Sequence, residues 1–340
     1  MQKFESLNSK DLNKNNNKNF HKIYEYNPAL LSYLYGYLKN PPYQSGKISK
    51  NFFLKFWDIV RLGAISAVVS FMLAVIIVYL ISLTDYDQNS HAIMELILDK
   101  ENIWILMILA VIFAPVKEEL TFRMILKYSA FRFSFSLAFL LLLLPEILLN
   151  FFDKSFIFDF KWWQGAIVYF GFIFLAGFGF GFLFKRFFKK EKIESFYKNN
   201  FFKIFYLQAI AFGLVHIINY QEVLTIWFIV PMLVMPQIFL GLILGFIRMK
   251  FGLIWSIFFH AMYNGIALLP FLILSNVSDE FYNKLVGNNF SPMDFNNISQ
   301  SDLSILFLSG IFFLFFTLLI IVSLAHLIIE AVVAKKSKKI

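Results

Sequence analysis

Within otherwise apolar sequence, three short constellations together carry a set of groups suited to hydrolysis. The first is the run Pro115, Val116, Lys117, Glu118, Glu119, Leu120, Thr121, Phe122, Arg123. Glu119 and Arg123 are four residues apart and on a helix pair along one face, whereas Glu118 points about 100° away and keeps its carboxylate free. The second constellation is Phe212 with His216 and the third His260 with Asn264, each again at helical spacing, so each pair projects toward one neighbour. A free carboxylate can take a proton from water, imidazoles can orient that water, and hydrogen-bond donors can meet a developing oxyanion. Taken singly, each group also has a plainer reading. A histidine in a membrane helix is often a hydrogen-bonded packing residue, an asparagine is ordinary interhelical glue, and Lys117 onward could be a loop. Against the loop, the apolar pattern resumes at Met124, Ile125 and Leu126, with Lys127 and Arg132 as the better anchors.

The elements that must position these groups are membrane helices. The 340 residues are 59% hydrophobic and 20% aromatic but only 16% charged, against about a quarter charged in soluble domains. Forty-six Phe in long apolar runs exceed what one soluble core can hide, whereas a bilayer accepts them on helix exteriors. The formal charge of +9 comes from Lys and Arg clustered beside apolar runs, a mark of membrane topology; no nucleic-acid partner is expected. Absence of Cys excludes disulfides, a thiol nucleophile, a lipidated cysteine and thiolate metal ligands.

Apolar runs of spanning length occupy residues 61–83, 102–128, 133–152, 163–184, 204–219, 225–247, 251–274 and 303–333. Each must be helical, because in lipid a backbone satisfies its own hydrogen bonds. The connections alternate in sign. Basic groups stand at Lys50, Lys55 and Arg61, at Lys127 and Arg132, at residues 185–192, at Arg248 and Lys250, and at residues 335–339. Acidic groups lie at Asp85, Asp87, Glu95 and Asp99, at Asp153 and Asp159, at Glu222, and at Asp279 and Glu280. The positive-inside rule then predicts an all-α polytopic bundle of about eight transmembrane helices with both termini in the cytoplasm. The expected organisation is a cytosolic tail with an interfacial aromatic segment over 1–56, a helical membrane domain over 57–334, and a basic cytosolic tail over 335–340. The opening twenty or so residues are rich in Asn and Lys and read as disordered; no cleavable signal peptide is expected, since about sixty mostly polar residues precede the first apolar run.

Depth joins the three constellations. At ~1.5 Å per residue, Glu118 lies ~14 Å from Lys127, His260 ~15 Å from Lys250 and His216 ~20 Å from Lys203. Ionisable groups near the bilayer centre cost roughly 2.5 to 3.5 kcal/mol each, so convergence on one wet cavity is cheaper than scattering them. Gly177 with Gly181, and Gly241 with Gly245, are read as close-packing positions. His326 and Glu330 imitate a site, but interfacial snorkelling beside Lys335 accounts for them. Glu146, after Pro145, is read as a kink residue with a local partner.

At these residues the chain resembles the CAAX prenyl endopeptidases and bacteriocin-processing enzymes, the CPBP or Abi-type intramembrane proteases. The family's Glu-Glu-x-x-x-Arg stands as Glu118, Glu119 and Arg123, its Phe-x-x-x-His as Phe212 and His216, and its His-x-x-x-Asn as His260 and Asn264. The resemblance covers about residues 103–274. It implies hydrolysis of a peptide bond in a membrane-associated peptide or protein by water activated by Glu118 and His216. It further implies that His260 and Asn264 steady the oxyanion while Glu119 and Arg123 hold the site in shape. Family members are named metalloproteases, yet a metal-free, glutamate-dependent mechanism is also proposed for the prenyl endopeptidase branch. No cofactor is the first expectation; zinc on Glu118, His216 and His260 is the alternative, although the His-Glu-x-x-His pattern of soluble zinc proteases is absent. Two other readings stand beside the peptidase: a proton-coupled transporter using Glu118, Glu119 and His216 as a relay, and a catalytically silent immunity or scaffold protein. Composition points to a bacterial plasma membrane; the substrate and oligomeric state are not encoded in any motif.

Overall fold

The computed structural model describes residues 29–43, 51–84, 103–151, 162–220, 223–279, 281–282 and 298–337, without the side chains of 144–151, 162–166, 221–225 and 337. The Asn- and Lys-rich opening, the acidic residues Asp85, Asp87, Glu95, Asp99, Asp153, Asp159, Glu222 and Glu280, the last three residues and the side chain of Glu146 lie outside that description. The chain is all-α and polytopic. Its helices are α1 (Leu30–Lys39), α2 (Phe52–Ser82), α3 (Ile103–Ile108), α4 (Ala114–Phe122), α5 (Ala130–Phe151), α6 (Trp162–Phe187), α7 (Lys190–Val215), α8 (Val230–Leu233), α9 (Met235–Lys250), α10 (Leu253–Leu274) and α11 (Gln300–Ser337). Among the described residues six stretches are helical, long and apolar enough to cross a bilayer: Phe52–Ser82, Ile167–Phe187, Lys190–Asn219, Ile226–Lys250, Leu253–Leu274 and Gln300–Lys336. Their outer faces are rows of exposed Phe, Leu, Ile and Val, the surface that lipid covers.

The expected span over 102–128 is broken where the site needs it to be. α3 passes into a π-helical turn, Leu109–Phe113, then α4, which ends at Phe122 in a 3₁₀ turn, Met124–Leu126. Pro115 explains the π-turn: it has no N–H for the carbonyl four residues back and its ring crowds that carbonyl, so the ladder shifts to a wider register. The freed carbonyls at the end of α4 find side chains. Ser136 on α5 donates to the Thr121 carbonyl, and Arg248 Nε on α9 donates to the Arg123 carbonyl at 3.1 Å.

α9 is the centre of the bundle. Leu240, Gly241 and every residue from Ile243 to Lys250 are buried, with α7, α10, α2 and α1 around them. Close approach to α7 depends on its two glycines: a Cβ at Gly241 would stand 3.1 Å from the Ala209 backbone, and one at Gly245 2.8 Å from the Phe205 ring. Gly177 on α6 likewise takes the Phe135 ring of α5, where a Cβ would stand 2.7 Å away. α9 and α10 form a hairpin closed by Gly252, whose φ of +116° is open to glycine and whose N–H donates to the Ile247 carbonyl at 3.1 Å. That turn brings the start of α10 back along the end of α9.

α1 is more than a headgroup-level segment. It buries Leu30, Leu34 and Tyr37 against α9 and α11, and Lys250 Nζ sits 4.6 Å and 5.1 Å from the Tyr33 and Tyr37 ring centres. The first backbone N–H of α1, on Leu30, donates to Glu330 Oε2 at 3.1 Å, and Arg61 Nη1 donates to the same oxygen at 2.9 Å, with Asp58 on its other arm. Trp57 Nε1 donates to His326 Nδ1 at 3.0 Å. Glu330 and His326 therefore tie three helices together. Snorkelling toward Lys335, the reading from sequence, is corrected by these long-range partners.

Candidate active site

The three constellations meet. Glu119 lies on α4, His216 begins a 3₁₀ turn (His216–Asn219) at the end of α7, and His260 and Asn264 lie on α10. Glu119 is fully buried and holds three groups together. Its Oε1 accepts from His260 Nδ1 at 3.1 Å and stands 3.4 Å from Arg123 Nε, while its Oε2 accepts from the Ser256 hydroxyl. Ser256 also lies 3.0 Å from the Leu244 carbonyl, so the α9–α10 hairpin fixes the hydroxyl that fixes the carboxylate. Arg123 is likewise fully buried, its guanidinium carbon 4.0 Å from the centre of the Phe212 ring. Phe212 in turn touches both imidazoles edge-on, with ring centres 4.7 Å from His216 and 5.7 Å from His260.

Glu118, next along α4, turns the other way, as helical geometry requires. Its Oε2 lies 3.7 Å from His260 Nε2 and 3.9 Å from His216 Nε2, and among the described residues that oxygen has no hydrogen-bond partner. Glu118 is 17% exposed and His216 19%, whereas His260 is 2% exposed, so the opening lies on the Glu118 and His216 side.

The outer hydrogen bonds set the tautomers. His260 Nδ1 faces a carboxylate, and His216 Nδ1 stands 2.7 Å from the Phe212 carbonyl, an acceptor only, so each Nδ1 carries its proton. In the neutral rings both Nε2 lone pairs then face Glu118 Oε2. Three acceptors converge at separations too long for direct hydrogen bonds and suited to one shared water.

Asn264 also has a partner inside the bundle. Its Nδ2 donates to the Ala110 carbonyl in the π-turn at 2.8 Å, one of its two amide protons. Ser256, Arg248 and the Ala110 carbonyl were not legible as site components. Only Ser256 left a signal, four residues before His260 and eight before Asn264 on one helix face. The same three groups bear on zinc. Two imidazole Nε2 atoms and a carboxylate oxygen are a zinc donor set by type, yet among the described residues no group of three His, Asp or Glu is arranged to hold a metal ion as the side chains stand.

Inside an all-α membrane bundle, one buried and one half-buried carboxylate thus stand against two imidazoles. The comparison with protein families names the class: residues 100–266 match Type II CAAX prenyl endopeptidase Rce1-like, a stretch that contains all three motifs. Across this core the chain is similar to that endopeptidase family, in line with the motifs, and it is an integral multi-pass membrane protein. No curated protein and no solved structure matches it significantly.

Proposed function

We propose that the chain is an intramembrane endopeptidase that hydrolyses a peptide bond of a membrane-associated protein or peptide, of the CAAX or leader-peptide type. The observation that carries this reading is Glu118 Oε2, held 3.7 and 3.9 Å from two imidazole Nε2 atoms whose Nδ1 protons are already committed. A water among these three acceptors donates one proton to Glu118 and is oriented by His216. Its oxygen adds to the scissile carbonyl carbon as its proton passes to Glu118. The oxyanion so formed is met by the second amide proton of Asn264, and by His260 once its Nε2 has taken a proton from solvent, a proton that it shares with the oxyanion in a hydrogen bond and keeps through the step. Glu118 then returns its proton to the leaving nitrogen as the C–N bond breaks. Glu119 and Arg123 touch no reacting atom in this scheme; they hold His260 and the end of α4.

Zinc is the second reading, favoured by the pair of inward-facing Nε2 lone pairs. Glu118, His216 and His260 would hold the ion, which would supply Lewis acidity toward the carbonyl and a more acidic water.

The test is Glu118→Gln in proteoliposomes carrying lipid-anchored peptides. Cleavage should fall by about 10²–10⁴-fold, the range of a general base, with helical content unchanged. Undiminished cleavage would remove the proposal. A transporter would instead respond with altered proton flux, and a silent scaffold with no change in either.

A further inference from the structure

A second cavity, of about 340 Å³, lies between α2, α9 and α10, and its walls include Ser70, Ala74, Tyr220, Gln237, Leu240 and Tyr263. Two of these residues follow the site's histidines directly: Tyr220 is four residues after His216 and Tyr263 three after His260. Three residues of helix rise only ~4.5 Å, so the cavity begins about one turn beyond the imidazoles. Consecutive residues of an extended peptide advance ~3.3 Å each. The offset between the imidazoles and this cavity is thus comparable to the advance of one or two residues of an extended substrate.

The walls say what kind of side chain. Leu240 and Ala74 are apolar, as are Ile77, Val78 and Leu233 beside them. Polar atoms are few, and their state differs. The Tyr263 hydroxyl already donates to Ser70 Oγ at 2.9 Å, whereas Gln237 Oε1 is buried with no hydrogen-bond partner among the described residues. A buried amide oxygen left unpaired has lost its hydration without replacement, so a ligand that brings it an N–H or O–H donor recovers that loss. A larger furrow between α2, α10 and α11 shares the Tyr263 wall but is almost wholly apolar and faces the hydrocarbon that surrounds any membrane protein.

We infer that the cavity between α2, α9 and α10 is a specificity subsite for one residue beside the scissile bond, selecting a mid-sized, largely apolar side chain that bears a hydrogen-bond donor, with Gln237 as its acceptor. The inference rests on the peptidase reading. Threonine and valine have nearly the same shape and differ by that donor, which makes them the discriminating pair.

Two arms test it, both on the full chain in proteoliposomes. In the first, farnesylated fluorogenic peptides vary each position around the bond. The wild type should prefer Thr over Val at one position by about tenfold or more, and Gln237→Leu should abolish that preference. Ala74→Phe, at an exposed wall position, should exclude large side chains at the same position only. A profile unchanged in both variants overturns the inference, as does equal loss for every peptide. In the second arm, Glu118→Gln is mixed with the same peptides carrying photo-leucine at single positions, and adducts are mapped by mass spectrometry. Adducts on Ala74, Ile77 or Leu240 from one position alone support the subsite; adducts elsewhere, or none, overturn it. If the wild type cleaves no peptide, the peptidase reading fails, and the second arm still decides whether a peptide side chain enters the cavity.

Discussion

Asn264 Nδ2 donates to the Ala110 carbonyl at 2.8 Å, joining the helix that carries His260 to the π-turn five to nine residues before Glu118. A π-turn widens the helix and leaves carbonyls poorly satisfied, and in lipid no water replaces the missing donor. The contact thus holds the irregular segment whose rotation sets where Glu118 points. Asn264→Ala should destabilise the protein by about 1 kcal/mol, and Asn264→Asp by more, since it sets an acceptor against the carbonyl. Thermal unfolding in detergent reads both; the reverse ranking would contradict the assignment.

Glu119 and Arg123 form a fully buried pair, so removing one partner strands the other's charge. Glu119→Leu should cost about 3–5 kcal/mol, and the double variant Glu119→Leu with Arg123→Met should recover part of that loss. Denaturation midpoints of the four proteins in the cycle provide the check. Strict additivity would mean that the two groups do not interact.

Glu330 accepts from both the Leu30 N–H and Arg61, which makes it the fastening point of α1. Glu330→Ala should loosen α1, and limited trypsin digestion should cut after Lys39 several-fold faster than in the wild type, with the membrane helices intact. Equal digestion rates would show that the packing of Leu34 and Tyr37 holds α1 unaided.

Metal dependence is decided by content and chelation together. The metal-free scheme expects purified, active protein with far less than one equivalent of zinc, and activity unchanged by a chelator. Zinc at stoichiometry, with activity lost on chelation and restored on addition, would replace that scheme by the zinc reading.

The covalent pattern alone was enough to establish an all-α membrane protein and to mark Glu118, Glu119, Arg123, His216, His260 and Asn264. Apolar run length, the positions of basic residues and the repeated four-residue spacing are local properties, and lipid enforces helix wherever they occur. The same locality explains the split between the two glutamates, since a step of 100° separates adjacent side chains on any helix. What neighbouring helices supply could not be read this way. The π-turn follows from Pro115 but is held by Asn264, 154 positions along the chain from Ala110. The proton positions on both imidazoles depend on a carboxylate and a carbonyl brought in by tertiary packing. His326 and Glu330 were misread because their partners, Trp57 and Arg61, lie 269 residues away, and spacing along one helix carries no information about which other helix packs against it.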